Sequence, residues 1–256
     1  MNLQGKTAIV TGASSPDGVG GATAKALAAR GCNVAVNYAS NRPGADAVVA
    51  ACVEFGVDAF AFEADVARDA DCRRLADAAS SRWGRLDILI NNAAVTRPIA
   101  LGALEDLDAA EFHRLYDVNL IGPFQMARAA APHLRATGDA AIVNISSVAG
   151  LTGNGSSIAY AASKGALNTL TLSLARVLAP EVRVNAICPG GLFGNWTKKL
   201  MSEDMYRSKL HEAETSFPLK RGVWPSDVAR QVVFLVEDAT TMTGELMQTD
   251  SGRHLY

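Results

Sequence analysis

Thr7-Ala8-Ile9-Val10-Thr11-Gly12-Ala13-Ser14-Ser15-Pro16-Asp17-Gly18-Val19-Gly20 begins as an apolar strand, Thr7–Val10. It then turns through a glycine-rich segment into an alanine-rich helical stretch, Gly20–Arg30. Glycines in such a turn let the backbone come close to a phosphate, and the N-terminus of the following helix offers N–H donors and a partial positive charge. Gly12, Ser14, Ser15, Gly18, Val19 and Gly20 are therefore candidate pyrophosphate contacts. An ordinary turn uses the same residue types, so the surrounding chain has to decide.

Outward from this unit the same alternation repeats. Apolar runs at Val34–Val36, Ala59–Phe62, Leu86–Ile90, Ala141–Ile145, Val182–Ile187 and near Glu245–Thr249 read as further strands. They are almost entirely apolar, so both faces must be covered, as in a parallel sheet flanked by helices. Val48–Phe55 and Asp69–Trp83 suit crossover helices, and Gly31, Gly56 and Gly84 stand where helices stop. The expected architecture is α/β: one doubly wound, Rossmann-type domain over residues 1–256, with a central seven-stranded parallel sheet and helices on both faces. The segment at about 191–221 has no clean strand period and reads either as a substrate lid or as a surface helical hairpin.

Composition limits the function. The chain has 256 residues, 49% of them hydrophobic and 20% charged, which suffices for a sizeable core without disulfides or metal. A formal net charge of −2 gives no cationic excess for nucleic acid or an anionic membrane. Cys32, Cys52, Cys72 and Cys188 form no CxxC pair and have no histidine at ligand spacing, so no metal site is expected. Buried thiols in a reducing compartment fit better. The opening MNLQGKTAIVTGA has neither the basic nor the long apolar region of a secretory signal, and no run near 18 apolar residues occurs. The expectation is a soluble cytoplasmic protein.

Two later segments carry chemistry. Asn91-Asn92-Ala93-Ala94 closes the fourth strand, at the edge where open α/β sheets bind ligands, although paired asparagines also form turns. Ser146-Ser147 precedes Tyr160-Ala161-Ala162-Ser163-Lys164. Four residues advance a helix by about 400°, which puts Tyr160 and Lys164 on one face. A phenol with an ordinary pKa near 10 is a sluggish acid–base at neutral pH. Lowering it by about 3 units takes about 4 kcal/mol, within reach of an adjacent ammonium and a cationic cofactor ring away from water. The same spacing equally suits a packed tyrosine beside a lysine that snorkels to solvent.

Taken together, TGASS…GVG, Asp65, NNAA at 91–94, Asn119 in DVNLIGPF, Ser147, YAASK and Pro189-Gly190 resemble the short-chain dehydrogenase/reductase family along essentially the whole chain. The resemblance is to 3-oxoacyl-carrier-protein reductase-like members. It implies that Tyr160 is the general acid/base, that Lys164 lowers its pKa and holds the nicotinamide ribose, and that Ser147 polarises the substrate carbonyl. Asn119 would anchor a relay water. Ser147 is preferred to Ser146 because the family's serine usually lies thirteen residues before the tyrosine. The implied cofactor contacts, beyond the glycine-rich turn, are Tyr38, Ser40, Arg42, Asp65, Val66, Asn92, Ala93, Tyr160, Lys164, Pro189 and Gly190. Two departures are visible: Pro16 and Asp17 lengthen the first turn by two residues relative to TGxxxGxG, and Ala94 stands where the family has glycine.

Relatives that prefer NAD usually carry an aspartate at the end of the second strand, where this chain has Tyr38. Ser40, Asn41 and Arg42 offer groups for a 2′-phosphate, so NADP is favoured over NAD; Arg42 also suits a solvated loop charge. The expected activity is hydride transfer between NAD(P) and a carbonyl or secondary alcohol of a small molecule. The alternative is a non-catalytic NAD(P)-binding sensor or scaffold, which has no need of Tyr160. An enoyl reductase is disfavoured, because its relatives space the tyrosine and lysine more widely. The resemblance also implies a homotetramer.

Overall fold

The computed structural model describes residues 1–255. Seven strands form one sheet: β1 (Thr7–Val10), β2 (Asn33–Tyr38), β3 (Ala59–Glu63), β4 (Ile88–Asn91), β5 (Ala140–Ile145), β6 (Val182–Pro189) and β7 (Leu246–Thr249). Every pairing is parallel, in the order β3-β2-β1-β4-β5-β6-β7. The main helices are α1 (Val19–Ala28), α2 (Arg42–Val53), α3 (Asp69–Trp83), α4 (Ala109–Tyr116), α5 (Gly122–Arg135), α6 (Ala149–Thr152), α7 (Ile158–Leu178), α8 (Asn195–Lys198), α9 (Glu203–Ser216) and α10 (Pro225–Glu237).

Strand side chains alternate between two apolar layers. Ala8, Val10, Val34, Val36, Ile88 and Ile90 pack with α1, α2 and α10, whereas Ile9, Ala35, Leu89 and Ile142 pack with α3, α5 and the end of α7. Burial on both faces accounts for the near-continuous apolar runs, because a solvated face would have required polar residues at every second position. A fully buried aliphatic side chain contributes roughly 1.5–3 kcal/mol, so these layers dominate the stability.

Helix boundaries differ from expectation mainly at α2, which begins at Arg42 and not at Val48. Proline is tolerated in a first turn, where its missing N–H is not needed. Pro43 occupies that turn while the Asn41 side chain accepts from Gly44 N at 3.2 Å. The pair Pro43-Gly44 thus starts the helix instead of preceding it. By contrast α3 ends as expected, with Gly84 in a left-handed conformation at φ 70°.

The chain runs outward from β1 to β3, then returns with β4 on the other side of β1. That reversal opens a crevice above the carboxyl ends of β1 and β4. Val10 is level with Ile90, so the residues following each strand emerge side by side. Beside this crevice stand α8 and α9; a small apolar cluster of Phe193, Tyr206, Ala213 and Phe217 ties α9 to the segments that flank the two helices. The region at about 191–221 is thus largely helical and contributes residues to the lining of the cleft.

Candidate active site

A cleft of about 750 Å³ opens along the carboxyl edge of the sheet. The turn after β1 forms one wall. Asn92 Nδ2 donates to the carbonyls of Thr11 and Gly12 at 2.8 and 2.9 Å, and Thr11 Oγ1 accepts from the N–H groups of Asn92 and Ala93. Asn91 turns inward and donates to Asn144 Oδ1 at 2.9 Å. The two asparagines are therefore fasteners between neighbouring strands, and the turn they hold faces the cleft.

Glycine is required in this wall by space. A Cβ on Gly20 would lie 2.6 Å from Asn92 Nδ2 and 2.8 Å from Ala13 Cα; one on Gly12, at φ +60°, would lie 2.7 Å from Ala93 Cα. Asp17 points away from the cleft and accepts from Asn195 Nδ2 at 3.1 Å. The two extra residues of the turn therefore bulge toward α8 and bring no carboxylate to the phosphate wall.

Along the cleft lie Gly12, Ser14, Ser15, Gly18, Val19, Gly20, Ser40, Asp65, Val66, Asn92, Ala93, Ser147, Tyr160, Lys164, Pro189 and Gly190, all singled out from the sequence. Three residues depart from expectation. Tyr38 is buried at 2% exposure, with its hydroxyl 3.4 Å from Glu63 Oε2, because the register of β2 turns it into the core between the helices. Arg42 is exposed and pairs with Asp46 at 3.1 Å one turn along α2, while also donating to the Tyr38 hydroxyl. Neither lines the cleft.

Asn119 is the third. It lies at 0% exposure behind the cleft, in a π-helical turn, Asp117–Ile121, that joins α4 to α5. Its Oδ1 accepts from Val95 N at 2.9 Å, and its Nδ2 donates to the Val95 carbonyl and to Ser163 Oγ, both at 3.0 Å. Both amide hydrogens are used, so the side chain is a brace between the strand-end loop and α7.

Ser157 caps α7, accepting from Tyr160 N at 3.2 Å, and thereby fixes the rotation of the helix. Tyr160 and Lys164 follow on its cleft-facing side. Lys164 Nζ lies 5.8 Å from the Tyr160 ring centroid and donates to the Ile145 carbonyl at 2.8 Å. Burial pushes the Tyr160 hydroxyl up to about 12, opposed by the neighbouring Ser147 hydroxyl, and draws the Lys164 ammonium down to about 8. In the protein alone, desolvation thus outweighs the expected lowering of the phenol.

The two serines after β5 diverge. Ser146 is buried and donates to Asn168 Oδ1 at 2.6 Å, whereas Ser147 is half-exposed and donates weakly to the Pro189 carbonyl at 3.4 Å. Only Ser147 has a hydroxyl available to a ligand beside Tyr160. Asn37 was missed from sequence. Its Oδ1 accepts from Gly12 N at 3.1 Å and its Nδ2 donates to the Ala64 carbonyl, so it shapes both ends of the nucleotide wall. A polar residue within an otherwise apolar strand was the available signal.

These features fit a nicotinamide dinucleotide. The wall has no room for a Cβ where a pyrophosphate must approach, Gly18 leaves the first N–H groups of α1 without a side-chain cap, and the buried Lys164 ammonium has one acceptor among the described residues. No group of three or more metal-ligating side chains occurs among the described residues.

A Rossmann-type sheet with this cleft and this tyrosine–lysine helix defines a nucleotide-binding oxidoreductase scaffold, and the comparisons specify it. A family model described as enoyl-(acyl carrier protein) reductase matches residues 12–254. The 3-oxoacyl-[acyl-carrier-protein] reductase FabG of Staphylococcus aureus is 37% identical over 252 residues, 98% of each chain. Among solved structures, a short-chain dehydrogenase/reductase from Burkholderia xenovorans superposes with a TM-score of 0.90 at 44% identity, covering 98% of both chains. A 7α-hydroxysteroid dehydrogenase complexed with NADH and 7-oxoglycochenodeoxycholic acid gives 0.87 at 31% identity, covering 98% of this chain and 96% of its own. The chain belongs to the short-chain dehydrogenase/reductase family and is an oxidoreductase with 3-oxoacyl reductase relatives.

Proposed function

We propose that the chain is an NADP-dependent ketoreductase or secondary-alcohol dehydrogenase acting on a small molecule. The observation that carries this reading is the convergence of Tyr160, Lys164 and the Ser147 hydroxyl on one cleft at the carboxyl edge of the sheet. A nicotinamide bound there would exchange hydride with the carbonyl carbon. Ser147 Oγ donates a hydrogen bond to the carbonyl oxygen and polarises it. The Tyr160 hydroxyl gives that oxygen its proton in reduction and takes it back in oxidation. Lys164, anchored on Ile145, places a positive charge beside the phenolate and offers its remaining hydrogens to the cofactor ribose. Asn119 acts as a positioning residue through Ser163, which donates to the Tyr160 carbonyl at 2.8 Å.

The preference for NADP is supported by Ser40 in the cleft and by the lack of a carboxylate from the end of β2 along its lining. Arg42 stands in the first turn of α2, and its pair with Asp46 is exposed and screened by solvent, so a 2′-phosphate can displace it. Residues at about 191–221 form the substrate lid of a single domain, and the molecule works as a cytoplasmic homotetramer. Four free buried cysteines suit a reducing compartment, and no described helix is long and apolar enough to cross a membrane. Ketones and alcohols screened by nicotinamide absorbance with both cofactors test the reading. Consumption of NADPH with a ketone is expected; cofactor binding without turnover across the panel would favour a sensor or scaffold. An enoyl reductase, which the family model's description evokes, is disfavoured by the three-residue gap between Tyr160 and Lys164.

A further inference from the structure

The lid half of the cleft carries charge that the reaction does not use. Many arginines of this chain close ion pairs, among them Arg207 with Glu203 at 3.2 Å and Arg221 with Asp227 at 2.8 Å on the outer surface of the same region. Lys199, Lys209 and Arg253 have no carboxylate partner among the described residues, and all three line the cleft. Met205, Lys209 and Glu212 stand at i, i+4 and i+7, so one face of α9 overlooks the cavity. Arg253 reaches it from beyond β7 and lies 5.5 Å from the Phe217 ring centroid. Glu212 is the one carboxylate on this side of the lining, against three cations. The same cleft is also lined by apolar side chains: Trp196, with its ring centroid 6.3 Å from that of Tyr160, and Leu200, Met201 and Met205.

We infer that the substrate is a carbonyl compound with an apolar body and a carboxylate remote from its reacting carbon, held by Lys199, Lys209 and Arg253. The inference rests on the oxidoreductase reading for the position of the carbonyl, and on the lining alone for the acid. A cleft lined by apolar side chains and by cations with no carboxylate partner among the described residues selects against neutral ketones, which leave those charges unanswered, and against short acids, which leave the apolar lining uncovered. Each exposed cation–carboxylate contact is weak, and the three together yield roughly a tenfold or greater preference for acid over ester.

The test uses NADPH-saturated protein and two probes, 5-oxo-5-phenylpentanoate and its methyl ester, followed both by turnover and by quenching of tryptophan fluorescence. Expected is at least roughly tenfold tighter binding of the acid, with a ratio falling toward one in Lys199→Ala, Lys209→Ala and Arg253→Ala combined. All three side chains are exposed, so the variant retains its core. If the acid binds preferentially and the variant loses that preference but neither probe turns over, the reaction assignment fails and this inference stands. Equal binding of acid and ester, or a preference that survives the substitutions, overturns it. A loss of NADPH affinity in the variant with no change in the acid-to-ester ratio assigns the cations to the cofactor and also overturns it. Displacement of the acid by millimolar inorganic phosphate but not by acetate would overturn the carboxylate assignment in favour of a phosphoryl group.

Discussion

Lys164 Nζ lies 5.8 Å from the centre of the Tyr160 ring, one turn along the same helix, and both side chains are almost wholly shielded by protein. Tyr160→Phe keeps the ring and its packing and removes the proton. Turnover is expected to fall by at least about 1,000-fold while NADPH still quenches protein fluorescence. Near-normal rates in this variant would remove Tyr160 from the chemistry.

Burial of the same pair predicts opposite trends in two pH windows. Lys164 titrates at about 8 in the folded chain against 10.5 when exposed, so below pH 8 folding confines an ammonium that water would solvate better. From pH 8 to 10.5 the unfolded chain binds more protons, and stability rises by up to about 3 kcal/mol. Tyr160, raised from 10 to about 12, holds a proton that the unfolded chain releases between those values, so stability falls there. Lys164→Met should be inactive yet at least as stable as the parent at pH 7, with the difference fading toward pH 10.5. A Tm lower than the parent's by more than about 5 °C at pH 7 would show that the bond to Ile145 outweighs desolvation.

Asn119→Ala would leave the N–H and carbonyl of Val95 and the Ser163 hydroxyl without their partner, at about 1 kcal/mol or more each. A Tm lower by about 6–12 °C is expected, with reduced kcat and little change in cofactor affinity. A kcat loss with no change in Tm would point to a direct chemical role instead.

Gly20→Ala sets a methyl group against backbone on two sides, 2.8 Å from both Ala13 Cα and the Gly12 carbonyl. The first turn must shift, and NADPH affinity should drop more than tenfold in an equilibrium titration. Unchanged affinity would show that the wall has slack the distances do not suggest.

Arg42→Ala should weaken NADPH about tenfold and leave NADH nearly untouched, because its present partners are one exposed carboxylate and one phenol. Equal effects on the two nucleotides would place the 2′-phosphate elsewhere.

The sheet was legible because Ile9, Ala35 and Leu89 belong to apolar runs with no polar face, a pattern that solvent-exposed strands cannot sustain. Helical spacing put Tyr160 and Lys164 on one face, and the resemblance to the short-chain dehydrogenase/reductase family, not the spacing, gave them their expected roles. The burial of Tyr38 and the pairing of Arg42 with Asp46 were not legible: a position at a strand end does not say which way a side chain turns, and Tyr38 turns inward opposite Glu63. Lys199, Lys209 and Arg253 carried no motif, and their meaning lies in the lack of a carboxylate partner among the described residues, which only three-dimensional neighbours reveal. The enrolment of Asp17 with Asn195 was equally hidden, since 178 residues separate them.

Gly122 N reaches back five residues to the Asp117 carbonyl, so α4 and α5 form one rod with a single overwide coil in the middle. Such a rod behaves like a screw with one stretched thread. Deleting one residue between 117 and 121 would let the thread tighten to an ordinary turn while α4 and α5 keep their faces, and the side chains within it, Asn119 among them, would lose their present places. The extra residue thus serves the brace on Val95 and Ser163, not the direction of the rod.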